Sequence, residues 1–119
     1  MQVTEVIVDA YGCSANLSDA DALEKAARAA VQSVGARVAT SSCHKFQPHG
    51  ITLCLILQES HFVISTWPEH GLAIVNIFLC NPSMDAKKVW EAMAIHLKPT
   101  RHTLHQVAHA IQSAKKAAA

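Results

Sequence analysis

The chain has 119 residues, half of them apolar and 16% charged, with a net charge of +1 when its eight histidines are neutral. That length supports one core and leaves no room for a second domain, so residues 1–119 are expected to form a single unit. The weak charge offers no basic face for a nucleic acid, and the apolar content is too high for a disordered chain.

In chain order, Val3–Ala10 reads as a strand rich in β-branched residues, ended by Tyr11-Gly12. Ser18 or Asp19 caps a helix running to Val34, with Leu23, Ala26, Ala27, Ala30 and Val34 on its apolar face and Gly35 at its end. Arg37–Phe46 reads as a second strand, and Pro48-His49-Gly50 as a turn. Ile51–Leu57 is a near-continuous apolar run suited to a central strand. His61–Thr66 and Leu72–Cys80 are strand-like, with a turn over Pro68–Gly71 between them. Pro82-Ser83 is expected to open a helix carrying Val89, Met93 and Leu97 at helical spacing, and Pro99 follows its end.

The tail has two readings. Leu104, Val107, Ala108 and Ile111 fit an amphipathic helix, whereas Arg101–Val107 fits an edge strand equally well; Ser113–Ala119 is expected to fray. The order of elements predicts an α+β two-layer sandwich, an antiparallel sheet with two helices packed on one face.

The N-terminus carries no basic leader or extended apolar region, and Ile51–Leu57 is too short to span a bilayer, so a cytoplasmic protein without a membrane partner is expected. Cys13, Cys43, Cys54 and Cys80 form no C-x-x-C pair and read as reduced thiols, three of them as packing residues. His102, His105 and His109 share a face if the tail is helical. On a strand His102 and His105 diverge, and in either case no carboxylate or cysteine stands beside them, so no metal is expected. No Gly-rich phosphate loop and no G-x-S-x-G elbow is present.

One stretch, QESHFVISTWPEHG, places Glu59, Ser60 and His61 side by side in what reads as the middle of the sheet. A serine hydroxyl can attack the carbonyl before it and turn the peptide bond into an ester. Elimination then frees the upstream carboxylate and leaves a dehydroalanine, which hydrolyses to a pyruvoyl group. That carbonyl condenses with amines and acts as an electron sink for decarboxylation. An E-S dipeptide alone is a weak signal.

Its context is more specific. VDAYGC, VGARV, HKFQPHGIT, ESHFVISTWPEHGLA and IFLC occur in order, and with them the chain resembles the prokaryotic, pyruvoyl-dependent S-adenosylmethionine decarboxylase proenzymes as far as about Val107. The resemblance implies self-cleavage between Glu59 and Ser60, a β chain 1–59, an α chain 60–119 and a pyruvoyl cofactor derived from Ser60. It further implies Cys80 as the proton donor after CO2 leaves, Glu69 as the carboxylate that binds the ribose hydroxyls, and Phe46 as the aromatic that stacks on adenine. A homodimer with its sites near the subunit contact is implied too, with S-adenosylmethionine as substrate and the aminopropyl donor for spermidine synthesis as product.

Several positions depart from the family pattern. Ser65 stands where the family has a processing histidine, and a hydroxyl is no base near neutral pH. His61 and His70 are the imidazoles nearby in sequence. Thr52 replaces a processing serine and keeps its hydroxyl. The D-x-F-T-C-G of the family has become Asn76-Ile77-Phe78-Leu79-Cys80-Asn81. These changes leave two alternatives open: a pyruvoyl-dependent decarboxylase of arginine or ornithine, and a non-processing paralogue with a binding or regulatory role.

Overall fold

The computed structural model describes residues 2–111. Six strands form one sheet in the order β2-β3-β4-β5-β1-β6, antiparallel throughout. They are β1 (Gln2–Tyr11), β2 (Val38–Lys45), β3 (Ile51–Leu57), β4 (Ser60–Trp67), β5 (Leu72–Leu79) and β6 (Arg101–Ala110). Helices α1 (Ala20–Gln32) and α2 (Ala86–Leu97) pack against each other and on one face of the sheet.

Alternation decides which face that is. Val6, Val8 and Ala10 of β1, Leu53 and Leu55 of β3, Phe62 and Ile64 of β4, and Val75 and Ile77 of β5 are buried beneath the helices. Leu23, Ala27, Ala30 and Val31 supply the stripe of α1, and Val89, Trp90, Met93 and Leu97 that of α2. Each large apolar side chain taken fully out of water contributes about 1.5–3 kcal/mol. One polar residue joins this core: Thr66 Oγ1 accepts from Ile51 N at 3.0 Å and donates to Leu17 O at 3.0 Å. Both of its bonds are made within the core, so the buried hydroxyl is satisfied.

The expected strands are present within a residue or two of their bounds, and the apolar Ile51–Leu57 run is an interior strand, flanked by β2 and β4. The second helix starts later than Pro82-Ser83. Asn81 turns the chain first, its side chain accepting from Ser83 N at 2.9 Å, and Asp85 is the N-cap, accepting from Lys87 N at 2.9 Å. Similarly, α1 stops at Gln32 with Ser33 as its cap, before Val34.

The tail is an edge strand on β1 as far as Ala110; Ser113–Ala119 lies outside the described residues. Gly12, at φ +63°, permits that pairing, because a Cβ there would collide with the side chain of Thr100, the residue just before β6. Cys43 corrects the expectation for the thiols, since it is exposed on the edge strand β2 rather than packed.

The other face of the sheet carries no helix. Ile7, Cys54, Ile56, Val63, Trp67, Ile74 and Phe78 lie on it, and Ile56 and Trp67 are exposed.

Candidate active site

Glu59 and Ser60 lie at the β3–β4 hairpin, Glu59 in the turn and Ser60 as the first residue of β4, rather than in the middle of a strand. Leu57 pairs with Ser60, so Gln58 and Glu59 alone make the turn. That tight closure forces Glu59 into the left-handed region at φ +63°. A residue with a side chain pays about 1–3 kcal/mol for such a conformation. The strain sits on the residue whose carbonyl the Ser60 hydroxyl would attack. Ser60 Oγ itself makes a single long contact, to Gln58 O at 3.4 Å.

Cys80 is brought to this turn from the far end of β5. Its thiol donates to Glu59 Oε2 at 3.7 Å, and both residues line a cleft of about 600 Å³ with Ser60, Arg37, Asn81 and Met84. Burial pushes the Cys80 thiol up from its ordinary value of 9.0, and the Glu59 charge and hydrogen bond push the same way. The thiol is therefore protonated at neutral pH, as a proton donor must be. In the Ser60→Ala background, Glu59→Gln removes the two carboxylate effects and leaves desolvation. The pH midpoint for Cys80 alkylation is then expected to fall, with faster alkylation below the original midpoint, because the thiolate is the nucleophile. An unchanged midpoint in rate–pH curves would show that Glu59 does not act on the thiol.

Phe46 and Glu69 come together elsewhere. They line a second cleft of about 410 Å³ with His49, Thr52, Ser65 and Trp67. Glu69 is in the 3-10 helix Pro68–His70 after β4, and its carboxylate meets His49 Nε2 at 2.8 Å. Phe46 is half exposed, so it is no core residue; its ring lies edge-on to His44 at 4.6 Å. Thr52 and Ser65 face each other across β3 and β4, their hydroxyls 2.9 Å apart. Ser65 is five residues along β4 from Ser60, about 16 Å at the strand rise. Within one chain the sequence-derived set thus falls into two groups, Glu59-Ser60-Cys80 at one end of β4 and Phe46-Thr52-Ser65-Glu69 at the other. His70 belongs to the second end.

Sequence reasoning named His61, Asn76 and His109 separately but not Glu5, and it missed the network that joins all four beside the hairpin. On the helix-free face, His61 Nε2 lies 3.2 Å from Asn76 Oδ1, Asn76 Nδ2 donates to Glu5 Oε2 at 2.6 Å, and His109 Nε2 lies 3.1 Å from Glu5 Oε1. Hydrogen bonds from Asn76 and then His109 hold the Glu5 carboxyl below its ordinary 4.5. The hints in the sequence were Glu5, an acidic residue amid the β-branched residues of β1, and Asn76, already noted as a departure from the family motif. His102, by contrast, packs near Trp90 at 5.1 Å, away from His109, and the described residues hold no cluster of three His, Cys, Asp or Glu suited to a metal. None of the described helices is long and apolar enough to cross a membrane.

The family profile for S-adenosylmethionine decarboxylase matches residues 4–110. The S-adenosylmethionine decarboxylase proenzyme of Thermosipho melanesiensis is 35% identical over 105 residues, covering 87% of this chain and 79% of its own. That of Pseudomonas paraeruginosa is 30% identical over 101 residues, covering 84% of this chain and 63% of its own. The crystal structure of the adenosylmethionine decarboxylase from Aquifex aeolicus superposes with a TM-score of 0.83 at 28% identity, over 94% of this chain and 93% of that one.

Proposed function

Because the chain belongs to the S-adenosylmethionine decarboxylase family, we propose that it cleaves its own Glu59–Ser60 bond and decarboxylates S-adenosylmethionine. The product would be the aminopropyl donor for spermidine synthesis. The observation that carries this reading is the strained hairpin, which sets Ser60 beside a protonated thiol in an open cleft. Cleavage there yields a β chain 1–59 and an α chain 60–119, the latter beginning with a pyruvoyl group made from Ser60. A pyruvoyl carbonyl supplies the electrophile and electron sink that loss of CO2 requires.

The chain's own residues do the rest. Cys80 delivers a proton to the substrate carbon that loses CO2. Glu69 accepts hydrogen bonds from two ribose hydroxyls, and the exposed ring of Phe46 stacks on the adenine. An arginine or ornithine substrate has no use for either residue, which favours the nucleoside.

The separation of the two groups supports a homodimer. Two copies stacked through their helix-free faces, antiparallel about a two-fold axis, set one copy's Ser60 and Cys80 against the other's Phe46 and Glu69. The apolar strip of Ile7, Val63, Ile74 and Phe78 on that face suits burial in such a contact. The four free thiols suit a reducing, cytoplasmic setting.

Intact mass after expression tests the proposal. Two fragments are expected, the second blocked at its N-terminus, and Ser60→Ala is expected to leave one chain of full mass. A wild-type chain that stays whole on long incubation would overturn the proposal in favour of a non-processing paralogue, the reading that Ser65 favours.

A further inference from the structure

We infer that Glu5, Asn76 and His109 are positioning residues that hold His61 as its Nε2–H tautomer, leaving Nδ1 as the proton acceptor when Ser60 is converted. The inference rests on the self-cleavage proposed above and supplies the base that Ser65 does not.

The chemistry of the donors fixes the arrangement. Glu5 is ionised at neutral pH and can only accept, so the atom of Asn76 that faces it at 2.6 Å is the amide nitrogen. Asn76 Oδ1 therefore faces His61 and can only accept, which requires the proton on His61 Nε2, 3.2 Å away. The opposite tautomer would set two lone pairs against each other. His109 Nε2, at 3.1 Å, occupies the other carboxylate oxygen and holds Glu5 in place from β6. The ring plane is fixed as well, because His61 stacks on Phe78 with centroids 4.8 Å apart and planes 4° from parallel. Among the described residues, His61 Nδ1 makes no hydrogen bond, so its lone pair is free. An aspartate at position 76 would present a carboxylate to His61 and to Glu5 together; the amide has one donating and one accepting end, and so orders the chain of contacts.

Position completes the case. His61 follows Ser60 directly, and alternation along β4 puts its ring on the face opposite the Ser60 side chain. Base and departing oxygen are then on opposite sides of the Ser60 α-carbon. In the step proposed, Ser60 Oγ attacks the Glu59 carbonyl carbon, the C–N bond breaks, and the hydroxyl proton passes to the freed Ser60 nitrogen. His61 Nδ1 takes the Ser60 α-proton, the Cβ–Oγ bond breaks, and its electron pair leaves with the Glu59 carboxylate. The resulting enamine becomes an imine. Water adds to it and ammonia leaves, which gives the ketone, while the imidazolium returns its proton to solvent.

The test has two arms. In the uncleaved Ser60→Ala chain, 15N shifts of labelled histidine are expected to show His61 protonated at Nε2 and bare at Nδ1, and Asn76→Leu is expected to give a mixture of tautomers. A proton on Nδ1, or a tautomer indifferent to Asn76→Leu, overturns the inference. In chains that retain Ser60, His61→Gln keeps a donor for Asn76 but no base, and is expected to slow fragment formation by about 10²-fold or more. His70→Gln is expected to change it by less than about twofold, as a histidine outside the relay contributes no general base. Cleavage that survives His61→Gln overturns this inference alone, whereas a wild-type chain that never cleaves overturns the self-cleavage reading with it.

Discussion

Replacing Cys80 by alanine is expected to lower the turnover of S-adenosylmethionine by about 10²- to 10⁴-fold, the usual worth of a positioned general acid. Fragments 1–59 and 60–119 should still appear. Loss of CO2 leaves electron density on the substrate carbon, and that carbon must be protonated before the product can depart. Cys80 lies at the cleft with its proton held by burial and by the Glu59 carboxylate 3.7 Å away. Cys80→Ser should not rescue the rate, because a serine hydroxyl is a far weaker acid than a thiol. CO2 release measured on the fragmented protein decides the matter; a rate within a few fold of wild type would remove Cys80 from the chemistry.

The second large effect is a gain. Ser60→Ala and Glu69→Ala chains are each expected to be inactive alone, yet to recover about a quarter of wild-type activity when co-expressed, by the counting of a two-fold dimer. Half of randomly assorted dimers are mixed, and each mixed dimer holds one complete site: Ser60 from one copy and Glu69 from the other. Within one chain these residues occupy opposite ends of β4 and different clefts. A site confined to one chain predicts no recovery, so mixed dimers demonstrated by tags and found inactive would refute the shared site.

Much of this was legible in the residues. The alternation of Val6, Val8 and Ala10 and the Leu23-Ala27-Ala30 spacing each report a face that must leave water, and their periods separate strand from helix; the Ile51–Leu57 run has no period, and its shortness marks it as a buried strand. The start of α2 was not legible. Pro82 is a common first helical residue, but Asp85 competes for the cap and wins because its side chain reaches Lys87 N. The tail was undecidable by pattern, since its apolar positions fit both periods; the unpaired edge of β1 settled it by offering a full ladder of backbone partners.

At the site, residue identity states which groups are present: a serine preceded by a glutamate, a thiol, a carboxylate after Trp67-Pro68, and no histidine at position 65. Those are chemical identities, and motif order carries them. Which of these groups meet is a matter of the folded chain. The fold set Glu59 in a strained turn, drew Cys80 to it across β4 and β5, parted both from Glu69, and joined His61 to Glu5 through Asn76. The physical reason is that these neighbours are set by strand pairing between distant segments. Glu5 and Asn76 are 71 residues apart in sequence and bonded in space, a relation that no local period records.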